Sequence, residues 1–153
     1  MGVFETKLAE LGITLPEAPA PAANYVPYVK VGDMVYVSGQ IANSPDGFIV
    51  GKLGDDMSVE DGTEAAKTCA IALLAQVKAA CDGDLDRLVK VVKLTGFVNS
   101  TQDFTDQPQV INGASNLFGE ALGTVGQHAR AAVSAPSLPF GVAVEIDGVF
   151  QIK

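Results

Sequence analysis

The sequence predicts an α+β fold, with two main helices on one face of a single mixed sheet. Three observations lead there. Two segments carry apolar residues at helical spacing, and the remaining apolar segments alternate or are β-branched as strands do. Each main helix follows a strand. The chain closes on two strands in succession, about 129–135 and 141–152, which the spacing joins as a hairpin. At 153 residues the whole chain, 1–153, is expected to form one domain, with residues 1–23 as an N-terminal helix and proline-rich arm.

The elements follow in order. Val3, Phe4, Leu8 and Leu11 keep the helical period, and Gly12 is a plausible stop. PEAPAPAANYVP, with Pro16, Pro19, Pro21 and Pro27, has to be extended and reads as an arm crossing the domain. Strands are expected at Tyr28–Lys30 and Met34–Gln40 about the turn Val31-Gly32-Asp33, with a third candidate at Phe48–Val50. GKLGDD, residues 51–56, lacks the Lys-Ser/Thr and the placement of a phosphate loop and reads as an ordinary loop. Ser58, with Asp61 three residues on, caps a long helix that ends near Asp82-Gly83. Its buried stripe is mainly alanine and cysteine, which requires a close neighbour. Leu88–Ser100 alternates as a strand, and Thr105 or Asp106 caps a second helix with Pro108 in its first turn.

Composition narrows the partners. A net charge of −8 and a pI near 4.4 argue against nucleic acid and anionic membranes, which attract Lys and Arg. No run reaches the roughly 18 apolar residues of a membrane span. MGVFETKLAELG has acids within it and no long apolar core, so no secretion signal is expected. Cys69 and Cys81 are twelve apart on one expected helix, about 18 Å, too far for a disulfide. They read as reduced core thiols, and a cytoplasmic location is expected. A charged fraction of only 18% leans towards surface hidden in an oligomer.

One histidine and two separated cysteines cannot build a zinc site, so neither metal nor other cofactor is expected. Asp55, Asp56, Glu60 and Asp61 suit the positive end of the helix they open and are not taken as catalytic. His128 reads as structural at a strand entry before it reads as lining a site. The closing strands are different. Val144, Ile146, Phe150 and Ile152 share one face, and Glu145 and Asp147 the other. If Ser134 pairs with Gly141, Arg130 falls opposite Glu145, both on the face away from the helices. Two readings remain open: a surface salt bridge of little energetic weight, or an arginine set among small residues to grip a carboxylate through paired hydrogen bonds.

VPYVKVGDMVYVSGQI, DLDRLVKVVKLTGFVNSTQDF, VINGASNLF and HARAAVSAPSLPFGVAVEID together resemble the reactive intermediate deaminase family (RidA, also YjgF). The likeness is to its longer relatives with an extra N-terminal helix, and runs from Asn24 to the C-terminus. It implies a chorismate-mutase-like homotrimer that hydrolyses 2-imino or enamino acids to 2-oxo acids and ammonia at an intersubunit site. By matched position, Arg130 would hold the substrate carboxylate, Glu145 would handle the water, and Tyr28 would complete the catalytic set. Ser38, Gly39, Asn112 and the main chain at Ala132 would contact substrate. Ala132 stands where the family often has cysteine, and the 135–140 connection lacks the usual charged residues. The alternative is a non-catalytic binder or sensor of small carboxylate metabolites. Ribonuclease activity, sometimes attached to the family, fits poorly with so acidic a chain.

Overall fold

Strong alternation makes the strands, and two glycine-assisted contacts bring the helices down on them. The computed structural model describes residues 1–21 and 23–153. In chain order the elements are α1 (Val3–Glu10), β1 (Tyr28–Val31), β2 (Met34–Ile41), β3 (Asn43–Ser44), β4 (Gly47–Phe48), α2 (Val59–Ala80), β5 (Leu88–Asn99), α3 (Gln107–Leu122), β6 (Ala129–Ala135) and β7 (Val144–Ile152). The main sheet runs β1-β2-β7-β5-β6, and β3 with β4 forms a small separate hairpin. All neighbours in the main sheet are antiparallel except β5 and β6. The mixed sheet with helices on one face is therefore as expected. Among the described residues no helix is long and apolar enough to cross a membrane.

On β7, Val144, Ile146, Phe150 and Ile152 are buried beneath the helices while Glu145, Asp147, Val149 and Gln151 are half-buried on the other face. Ser58 caps α2 by accepting the Asp61 N–H at 3.1 Å, as its position suggested. The small-residue stripe of α2 has the close neighbour it requires. A side chain at Gly113 of α3 would collide with the Thr63 carbonyl of α2, and one at Gly96 of β5 would strike Ile111. These glycines set the helix–helix and helix–sheet spacing. The N-terminus of α1 is capped from a distance: the Asp86 carboxylate accepts the N–H groups of Val3 at 2.8 Å and Phe4 at 3.1 Å.

Two expectations need correction. The third strand candidate, Phe48–Val50, contributes only Phe48 to the β3–β4 hairpin, and Val50 makes an isolated bridge to Val142. More consequentially, β6 and β7 do not form a hairpin. β5 lies between them, paired in parallel with β6 and antiparallel with β7. The physical reason is the crossover: β5–α3–β6 is a parallel unit whose helix returns the chain to the same end of the sheet. The Pro136–Ala143 connection then steps past the end of β5. Asn99 fastens it there, its backbone N–H donating to Ala143 O at 2.9 Å and its side chain to Val142 O at 3.2 Å.

Candidate active site

The residues singled out from sequence fall into two groups, one at the edge strand β6 and one on the interior strands β2 and β7. The first surrounds Arg130 on edge strand β6. Its register with β5 sets Arg130 beside Leu94, Ala132 beside Gly96 and Ser134 beside Val98. Leu94 and Val98 point under the helices, so this row faces α3, while Ala129, Ala131 and Val133 are exposed on the helix-free face. The half-buried guanidinium donates from Nη1 to Ser115 Oγ at 3.0 Å and from Nη2 to the Pro108 carbonyl at 3.2 Å. Asn112, exposed, lies four residues after Pro108 and three before Ser115, and so shares their face of α3.

His128 continues this arrangement. Its Nδ1 is 2.6 Å from Gly126 O and its Nε2 is 2.9 Å from Ser115 Oγ. A carbonyl only accepts, so Nδ1 carries the proton. Nε2 then accepts the Ser115 hydroxyl, which leaves the serine oxygen free to accept from Arg130. Burial lowers the pKa of His128; the Gly126 hydrogen bond acts in the opposite sense, and the charges of Arg130 and Lys90 lower it further. The ring edge rests on Phe118, centroids 5.9 Å apart. Through these bonds the histidine braces the serine beneath the arginine.

The second group surrounds Glu145. A register shift between Val37 and Gln40 lifts Ser38 and Gly39 out of the regular β2–β7 ladder. Glu145, opposite Ile41, occupies the space this opens, and a side chain at Gly39 would collide with its carboxylate. Burial raises the pKa of Glu145, and the negative charge of Asp147 raises it further. Asp147 is itself raised by burial, opposed by a hydrogen bond from Thr95. Glu145 lines a cleft of about 580 Å³ with Ser38, Gly39 and Gln40. The N-terminal arm forms one wall. Ser38 Oγ donates to Val26 O at 2.8 Å, Ser38 N to Pro27 O at 2.9 Å, and the buried Gln76 Nε2 to Pro19 O at 2.6 Å.

The expected Arg130–Glu145 cross-strand pair does not exist within one chain. The two residues are separated by β5. Glu145 aligns with Phe97 and hence Val133, whereas Arg130 aligns with Leu94. That is about 10 Å across the sheet and about 10 Å along it, with the side chains on opposite faces. The alternation read on each strand is right; the assumed hairpin gave β6 the wrong face. Structure thus groups Arg130, Asn112 and Ala132 at the β6 edge, and Ser38, Gly39 and Glu145 on the interior strands β2 and β7. Tyr28 joins neither within a single chain: half-buried opposite Val37, it packs against the core and does not line the cleft. Sequence reasoning passed over Ser115 and the aromatic pair Phe48–Phe140 at the cleft; only the nearness of His128 to Arg130 in sequence hinted at the first.

Residues 5–147 match the YjgF/chorismate mutase-like family, whose description also carries an endoribonuclease label. The chain belongs to this family, which is also that of the RidA proteins. It is 48% identical to protein TCP17 of Trypanosoma cruzi over 99% of this chain and 96% of that one. The solved structure of Atu1372 from Agrobacterium tumefaciens, described as of unknown function, superposes with a TM-score of 0.92 at 49% identity, covering 99% of this chain and 93% of that one. More distantly, a 2-iminobutanoate/2-iminopropanoate deaminase of Dermatophagoides farinae is 26% identical over 92% of this chain and 95% of its own.

Proposed function

We propose that the protein hydrolyses reactive 2-imino or enamino acids to 2-oxo acids and ammonia, at a site completed between neighbouring copies in a homotrimer. The single observation that carries this reading is the division of the site. An arginine sits on edge strand β6, and a partly desolvated carboxylate sits on the central strand β7 beside a β2 bulge, two strands away and on the other face of the sheet. Contact between two different surfaces of the chain is head-to-tail, and such contacts form rings when the rotation closes. Apolar side chains left exposed on the helix-free face, among them Val29, Tyr36 and Val133, support its being covered by other copies. The name of the mite relative supports the chemistry.

The chemistry needs little. Arg130 from one copy holds the substrate carboxylate, having donors left beyond those spent on α3. This fixes the C=N carbon over Glu145 of the next copy, with Tyr28, Ser38, Gly39, Asn112 and the Ala132 main chain around it. Water adds its oxygen to that carbon while Glu145 takes a proton and returns it to nitrogen. The new hydroxyl then gives up its proton, which reaches the nitrogen through the same carboxylate, the C–N bond breaks, ammonia leaves and the C=O forms. Positioned acid–base help of this kind gives roughly 10²–10⁴-fold. Location in the cytoplasm and a small imino or oxo carboxylate as partner belong to the same proposal. The endoribonuclease label finds no support in a chain of net charge −8.

The test is the rate of 2-oxo acid release from a freshly generated imine. Arg130→Ala is expected to abolish the enhancement, and an unchanged rate would refute the mechanism. Saturable binding of the oxo acid without turnover would instead identify a metabolite binder.

A further inference from the structure

Resting on the proposed imine hydrolysis, we infer that the preferred substrates are 2-imino acids with bulky apolar or aromatic side chains. Their side chains enter the cleft between the N-terminal arm and the Phe48–Phe140 pair. The cleft, about 580 Å³, lies within the range of sites that enclose ligands well above the size of a two- or three-carbon acid. Its wall around Glu145 is apolar: Pro19, Pro21, Tyr25, Ile41, Phe48 and Phe140. Ser38, Gln40 and Asn43 also line it; Ser38 and Gln40 each spend a donor on main-chain carbonyls, Ser38 on Val26 and Gln40 on Ser38 itself, and Asn43 carries no charge. Glu145 is the one charged group among the described lining residues. Nothing there neutralises an acidic substrate side chain, and Glu145 repels one.

Two features indicate that this apolar wall is built and not incidental. Phe140 sits at φ 57° and ψ 14°, a left-handed conformation rare for a bulky residue. Such strain persists where surrounding structure imposes it, commonly at ligand sites. Here it places the ring 4.9 Å from that of Phe48, stacked at 22°, with the two residues 61% and 47% exposed. The opposite wall is pinned at Pro19, Val26 and Pro27 by the hydrogen bonds from Gln76 and Ser38, and those prolines restrict its backbone. A preformed wall needs little ordering when a ligand enters.

The experiment compares imines generated in place from phenylalanine and from alanine, using the full chain, alongside calorimetric binding of phenylpyruvate and pyruvate. We expect kcat/KM and affinity to favour the aromatic member by about 10-fold or more, since apolar pockets discriminate by 10- to 200-fold for a single methylene. Phe48→Ala is expected to narrow that ratio to about 3-fold or less. Phe140→Asn should do the same and keeps a residue that tolerates the left-handed backbone. Equal rates and affinities for the two members, or a preference untouched by both variants, would overturn the inference. Arg130→Ala separates this from the parent reading. If it abolishes pyruvate binding while no aromatic preference exists, only the substrate class is wrong. If pyruvate binding and turnover survive it, the hydrolase reading itself falls.

Discussion

Burial, and after it Asp147, would set the working range of Glu145 in the proposed reaction. A carboxylate must be ionised to act as a base, so the rate should rise with pH through a midpoint above 4.5, because burial and then Asp147 raise Glu145 from that ordinary value. Asp147→Asn removes the second cause and leaves the first. A pH–rate profile of the variant should show the midpoint moved to lower pH but still above 4.5. Arg130 has a comparable dependence on neighbours. Ser115→Ala deletes the acceptor for its Nη1 and the donor to His128 Nε2. One neutral acceptor is worth enough to raise KM by about 3- to 10-fold, with kcat less affected because the reacting atoms are untouched. His128 is the only histidine, so its ring nitrogen signals report the same change directly in the NMR spectrum.

At the level of elements, the β2 bulge decides where Glu145 can sit. A methyl group at Gly39 would meet the far end of the Glu145 side chain, a group that can swing away at modest cost. Gly39→Ala is therefore expected to leave the melting temperature nearly unchanged while removing most of the activity, with both measured on the same preparation. A matched loss of stability and activity would show instead that the bulge itself had failed. The contrast with Gly113 is instructive. There the obstacle is the Thr63 backbone carbonyl, which cannot rotate aside, so the glycine belongs to the packing of α2 against α3 and not to the site.

For the whole molecule, a divided site makes a prediction that a site within one chain does not. Arg130→Ala and Glu145→Gln should each be inactive alone. In the proposed cyclic trimer, unfolding and refolding them together at equal amounts should restore about a quarter of wild-type activity, because hybrid rings each regain one intact site of the three. No recovery in rings shown by native mass spectrometry to be mixed would place both residues' roles within one chain, against the geometry seen here.

Much of this protein is legible in its residues. Period-two burial on β7, the Ser58 cap and the alanine-rich stripe of α2 are local patterns, and local patterns follow from side-chain direction and backbone hydrogen bonding alone. The family, and with it Arg130 and Glu145, was legible in four motifs. Strand order was not. Whether 129–135 pairs with the strand after it or with the one before α3 depends on a competition between distant edges, to which the local sequence of both strands is indifferent. That one choice turned Arg130 towards α3, set it on Ser115 and His128, and parted it from Glu145. The sequence by itself determined the family and which faces alternate. Only the tertiary structure decided that Arg130 lies at the β6 edge and Glu145 in the middle of the sheet, because strand pairing is settled by long-range burial and chain crossover and not by any residue's own preference.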